Sequence, residues 1–187
     1  ISILKTHIDI LTDFSSQTID KLKKIAEKHQ FALFEDRKFA DIGSTVQKQY
    51  AGGLYQIAKW ADIVNFHPLP GPGVIEGLIA ANPNLKCLAV AEMSSHANLI
   101  DKRYTEASLQ IAHQFRDHVL GFIAQNQLDP NFFTLTPGIH LDQKQDKMGQ
   151  RYRTPKEAYA SGSDFIIVGR AITHAEDPVK EAKRYKL

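Results

Sequence analysis

The feature that most constrains this chain is an alternation. Short apolar runs recur along its length, separated by segments of helical spacing or by loops. The runs are residues 1–4, 31–34, 63–66, 87–91, 119–123, 132–135 and 165–168. After the first, Ser15 or Ser16 can cap a helix in which Ile19, Leu22, Ile25 and Ala26 recur through Lys28. After the second, Gly43 breaks the chain, and Ser44 or Thr45 can cap a helix predicted to reach about Lys59, with Gly52 and Gly53 as its weak point. A Pro/Gly-rich loop at 67–73 precedes a short helix over 74–81 that Asn82-Pro83 ends. Ala107, Ile111, Ala112 and Phe115 mark another helix, and residues 178–185 a last one.

Seven strands alternating with helices is the pattern of a parallel α/β fold. The expected architecture is a (β/α)8 TIM barrel, forming one domain over residues 1–187. Such barrels hold about 250 residues, and Ile1-Ser2-Ile3-Leu4 opens in mid-strand. The expectation is therefore an N-terminally incomplete barrel that lacks its first β/α unit and needs that unit, in some form, for turnover. An open doubly wound sheet is the rival, weakened because no Gly-rich fingerprint follows the first strand.

In a barrel the chemistry gathers just beyond the C-terminal ends of the strands. Lys5 follows the first run, Asp36 and Lys38 the second, Met93 and Ser94 the fourth, Thr136-Pro137-Gly138 the sixth, and Gly169-Arg170 the seventh. Asp36, Lys38 and Asp41 put three charges of alternating sign into six residues, the pattern of a prearranged electrostatic site. The same spacing also suits an exposed charged loop. Gly169, Arg170 and the helix start after them read as a phosphate site, or else as a pairing of Arg170 with a surface carboxylate. The connection from Pro137 to Arg153 is long and polar, and reads as a binding loop with Gln150 and Tyr152 as its contacts or as a disordered excursion. His7 and His67 lack metal-motif spacing, so hydrogen-bonded structural roles are expected and no metal is called.

Composition narrows the partners. A net charge of +2, with 43% hydrophobic and 24% charged residues, gives no basis for a nucleic-acid or membrane surface. No apolar run nears the roughly 20 residues of a membrane helix. The single cysteine, Cys87, lies in an apolar run and fits a buried small residue in a reducing, cytoplasmic setting.

The run Phe34-Glu35-Asp36-Arg37-Lys38-Phe39-Ala40-Asp41-Ile42-Gly43, with Lys5-Thr6-His7, Ala91-Glu92-Met93-Ser94-Ser95, Leu135-Thr136-Pro137-Gly138 and Ile167-Val168-Gly169-Arg170, resembles orotidine 5'-phosphate decarboxylase. It is most similar to the eukaryotic-type branch, which includes the decarboxylase domain of uridine monophosphate synthase. The resemblance implies a homodimeric barrel that converts orotidine 5'-phosphate to uridine 5'-phosphate and carbon dioxide without cofactor or metal. It further implies that Lys5, Asp36 and Lys38 form the catalytic network of one subunit, with Lys38 the proton donor to C6 and Asp41 reaching in from the other subunit. Ile42 and Thr45 would cross the dimer interface, and His7 would belong to the substrate site. Ser94 and Gln150 would read the pyrimidine, with Met93 and Pro137 packing on it. Gln150, Tyr152, Gly169 and Arg170 would hold the phosphate. Two other readings stay open: a magnesium-dependent sugar-phosphate lyase of the same barrel superfamily, and a non-catalytic nucleotide-binding barrel.

Overall fold

The computed structural model describes residues 1–147 and 149–186. Its strands are β1 (Ile3–Thr6), β2 (Ala32–Phe39), β3 (Ile63–Phe66), β4 (Cys87–Val90), β5 (Val119–Ile123), β6 (Phe133–Thr136) and β7 (Phe165–Ile166). Its helices are α1 (Ser16–His29), α2 (Gly43–Ala51), α3 (Gly73–Ala81), α4 (Lys102–Gln114), α5 (Pro155–Ala160), α6 (Arg170–Thr173) and α7 (Pro178–Arg184). These elements fall into two compact units, one of Ile1–Val90 with Gln110–Leu120, the other of Ala91–Leu109 with Gly121–Leu187.

The first unit pairs β1 with β2, β2 with β3 and β3 with β4, all in parallel. Every residue of β3 and β4 is buried, as expected of parallel strands covered on both faces. Cys87 is one of them, and burial pushes its thiol pKa far up, so it serves as a packing residue. The register between β2 and β3 slips: Glu35 lies opposite Val64 but Phe39 opposite Phe66, so β2 advances four residues while β3 advances two. That bulge falls on the charged motif. Beyond it, α2 and α3 meet backbone to backbone. A Cβ on Gly77 would lie 2.3 Å from the Gly43 carbonyl oxygen, so glycine is required at this crossing.

In the second unit β5 pairs with β6 and β6 with β7, again in parallel. A small core of Ile139, Ala158 and Tyr185, with Leu141, Ile166, Val168 and Ile172 packed on it, ties α5, α6 and α7 to the strands. α5 starts with a capping box, Thr154 Oγ1 accepting from the Glu157 N–H while the Glu157 carboxylate accepts from the Thr154 N–H.

Several element boundaries differ from expectation. β1 is Ile3–Thr6 rather than residues 1–4, because Lys5 and Thr6 stay in the ladder opposite Phe34 and Glu35. β2 continues to Phe39, so Asp36 and Lys38 lie on a strand and not beyond it. α2 has Ile42 at its N-cap with no side-chain cap, so neither Ser44 nor Thr45 serves there. It stops at Ala51 because Gly53 and Gln56 adopt left-handed backbone, leaving only a short 3-10 turn at Ile57–Lys59. No helix among the described residues is long and apolar enough to cross a membrane.

Candidate active site

In the first unit, parallel pairing brings the end of β1 beside the middle of β2, and two lysines converge on one carboxylate. Asp36 Oδ2 accepts from Lys5 Nζ at 2.7 Å, and Asp36 Oδ1 accepts from Lys38 Nζ at 2.6 Å. The Asp36 side chain is only 9% exposed. Burial alone would push its pKa up, but Lys5 and Lys38 outweigh it and hold the carboxyl below its ordinary range. His7 Nε2 lies 2.9 Å from Lys5 Nζ and 3.3 Å from Asp36 Oδ2. Burial, and then Lys5, lower the His7 pKa against the pull of Asp36, which favours a neutral ring that accepts from Lys5. His67 is lowered in the same way, by burial first and then by Lys38.

Two residues that the sequence reading passed over support this array. Glu35 is fully buried; its carboxylate accepts from Thr6 Oγ1 at 2.6 Å and from the Ile8 N–H at 3.0 Å, pinning the turn that carries His7 to β2. Burial raises its pKa, with those bonds opposing. Asn65, 1% exposed, donates from Nδ2 to Asp36 Oδ1 at 2.6 Å and accepts the Lys38 N–H at Oδ1 at 2.7 Å. An asparagine inside the apolar run Ile63-Val64-Asn65-Phe66 was the available signal.

Asp41 stands apart from this array. It is exposed, and its Oδ1 accepts the N–H of Ile42 at 2.7 Å. Ile42 is 65% exposed, and Thr45 lies in the first turn of α2.

In the second unit the remaining expected residues come together around the loop that follows β6. Gly138 has φ +75, and a Cβ there would lie 2.5 Å from Gln150 Nε2 and 2.9 Å from Ser94 Cβ, so Ser94, Gln150 and the Pro137-Gly138 corner converge. The Ser94 carbonyl accepts the Arg151 N–H at 3.1 Å. Met93 borders a cleft of about 560 Å³ walled by Glu92, Ile100, Thr105 and Gln125. Arg170 bonds the hydroxyl of Tyr152 at 3.1 Å and forms an ion pair with Asp146, whose other oxygen accepts the Gln150 N–H at 2.9 Å. The carboxylate partner weighed for Arg170 is therefore present, while half of the Arg170 side chain remains open to solvent. Gly169 is the N-cap of α6, with space where a Cβ would stand.

The polar loop itself is neither structureless nor an excursion. Bridges join Ser95 to Gln150, Ile139 to Arg153 and Gln145 to Arg151. Among the described residues no group of three or more His, Cys, Asp or Glu side chains is arranged to hold a metal ion.

The family model described as "Orotidine 5'-phosphate decarboxylase / HUMPS family" matches residues 1–185. The orotidine 5'-phosphate decarboxylase of Rhizopus oryzae is 48% identical over 194 residues, covering all of this chain and 73% of that protein. The uridine 5'-monophosphate synthase of Bos taurus is 46% identical over 191 residues, covering all of this chain and 40% of that protein. Among solved structures, orotidine 5'-monophosphate decarboxylase of Methanocaldococcus jannaschii, complexed with inhibitor BMP, superposes with a TM-score of 0.72 at 21% identity, covering 99% of this chain and 85% of that one. This last likeness shows the fold, the parallel β/α barrel architecture that the alternation predicts.

Proposed function

The chain belongs to the orotidine 5'-phosphate decarboxylase / HUMPS family, and from that premise we propose that it is a carboxy-lyase converting orotidine 5'-phosphate to uridine 5'-phosphate in pyrimidine biosynthesis. The observation that carries the reading is the buried carboxylate of Asp36 held between the ammonium groups of Lys5 and Lys38. The enzyme works as a cytoplasmic homodimer, and residues 1–187 act as one barrel domain, a reading supported by a family match that runs through residue 185.

The chemistry follows from charge. The bond between C6 and the carboxyl carbon breaks, carbon dioxide leaves, and the electron pair stays on C6. A fixed cation close to that carbon stabilises the developing charge. Lys38 supplies this cation and then transfers its proton to C6, after which the neutral amine recovers a proton from water. Asp36 holds the Lys38 ammonium through Oδ1 while Lys5 bonds its Oδ2, and Asp41 of the partner subunit completes the alternating charges, with Ile42 and Thr45 entering beside it. His7 lies at the substrate end of the same network.

Ser94 and Gln150 read the pyrimidine while Met93 and Pro137 pack on it, and Gln150, Tyr152, Gly169 and Arg170 take the phosphate. Phosphate held away from the reacting carbon supplies binding energy for orientation. A phosphate would compete with Asp146 for Arg170, whose fork suits two acceptors.

The test is carbon dioxide release from orotidine 5'-phosphate by a protein carrying this chain, with EDTA present. Turnover unaffected by the chelator is the expected result. Activity lost in EDTA points to the magnesium-dependent sugar-phosphate lyase reading, and nucleotide binding without carbon dioxide release points to a non-catalytic barrel.

A further inference from the structure

The β2 bulge leaves the backbone around Lys38 without regular strand pairing, and Lys38 itself sits at φ +52, a left-handed conformation that side-chain-bearing residues seldom adopt. Such a conformation persists where its surroundings fix it. The Lys38 side chain is tied to Asp36 and the Phe39 carbonyl accepts the His67 N–H, and a buried amide holds the Lys38 backbone N–H itself. Asn65 faces the bulge from β3, and its two ends do different work: Oδ1 accepts the Lys38 N–H at 2.7 Å, and Nδ2 donates to Asp36 Oδ1 at 2.6 Å. The two partners fix the orientation of the amide, since a backbone N–H needs the oxygen and a carboxylate needs the nitrogen. Asp36 Oδ1 is also the oxygen that holds Lys38 Nζ at 2.6 Å.

We infer that Asn65 is a positioning residue for the decarboxylation. It holds Lys38 at both ends, the backbone directly and the ammonium through Asp36, and so sets where the proton donor stands. The inference rests on the functional reading above. A carboxylate at this position would repel Asp36 at hydrogen-bond distance, and an alkyl group would leave the Lys38 N–H without this acceptor and take one of the two donors from Asp36 Oδ1. Bulk and hydrophobicity alone therefore do not substitute for the amide.

The experiment compares Asn65→Ala and Asn65→Leu with the unaltered protein on orotidine 5'-phosphate, at a temperature well below each Tm and per mole of folded enzyme. Both variants are expected to lose kcat by on the order of 100-fold, the scale of a reacting group misplaced by about 1 Å, while KM stays within about twofold because the binding groups are untouched. A merely structural role would lower Tm and leave kcat per folded molecule unchanged. Retention of the parent kcat by Asn65→Leu overturns the inference. If neither variant folds, amide hydrogen exchange in the unaltered protein decides. Strong protection of the Lys38 N–H is expected, and exchange as fast as at exposed Ala40 overturns the inference. Absence of turnover by the unaltered protein counts against the functional reading instead, and the exchange result stands apart from it.

Discussion

Lys38 Nζ donates to Asp36 Oδ1 at 2.6 Å although the two residues stand only two positions apart on one strand. In a regular strand such side chains run side by side on one face. Here the bulge and the left-handed backbone at Lys38 turn the ammonium onto its neighbour's carboxylate, leaving Asp36 Oδ2 for Lys5. The site is thus built from a break in the sheet, and its exposure to substitution follows from that.

Glu35 is the support most easily tested. Glu35→Ala would strand the buried Ile8 N–H, at a cost of about 1–3 kcal/mol for an unsatisfied buried group, leave Thr6 Oγ1 only its longer bond to the Phe34 carbonyl, and loosen the turn that carries His7. A lower denaturation midpoint in urea together with reduced kcat is expected. Unchanged stability would contradict the bonding described.

Acidification should destabilise the fold through its histidines. Both His7 and His67 are held below the ordinary 6.5, by burial first and then by neighbouring lysines. The unfolded chain therefore takes up protons at higher pH than the folded one, and stability falls as pH drops through 6.5 toward the folded values. Glu35, raised by burial, contributes the opposite slope at lower pH, so the decisive quantity is the difference between His67→Gln and its parent. Thermal scans across this window should show a flatter dependence in the variant; a steeper one would refute the assignment.

How much of this was legible in the sequence depends on the distance over which each contact acts. The strand alternation, the α1 cap at Ser15 and the charges at Asp36 and Lys38 are local patterns, and the order of strands and helices was legible from them, whereas the roles of residues such as Ile42, Thr45 and Gln150 come only with the family resemblance. Asn65 and Asp36 meet across 29 positions, and Arg170 and Asp146 across 24. A pattern of nearest neighbours does not encode such pairs. The extension of β2 through Lys38 was hidden because charged residues do not resemble a buried strand, yet here each finds a partner. α5 was different: the spacing of Thr154 and Glu157 advertises its capping box, and that signal went unread.

Arg170 is tested by binding. Arg170→Ala should weaken the affinity for uridine 5'-phosphate roughly 10- to 100-fold, the value of charge-assisted hydrogen bonds to a phosphate. Affinity for uridine without its phosphate should not change. Calorimetric titration of both ligands separates these outcomes, and equal losses for both would place Arg170 outside the phosphate site.

Asp41, exposed and apart from the Asp36 array, makes a prediction about assembly. Lys38→Ala and Asp41→Ala proteins, each inactive alone, should regain activity when mixed. An equal mixture of freely exchanging dimers would reach roughly a quarter of the parent rate, because half of the dimers would each hold one intact site. No recovery, with subunit exchange verified, would show that Asp41 serves its own subunit.

The central claim is that the Lys38 ammonium, fixed by Asp36, carries the chemistry. The most direct measurement follows the absorbance loss of orotidine 5'-phosphate under single-turnover conditions for a protein carrying this chain and for its Lys38→Ala variant. The account predicts turnover by the parent and a loss of at least about 1000-fold in the variant, beyond the cost of one electrostatic donor because the proton source goes as well. Equal rates in the two proteins would contradict it.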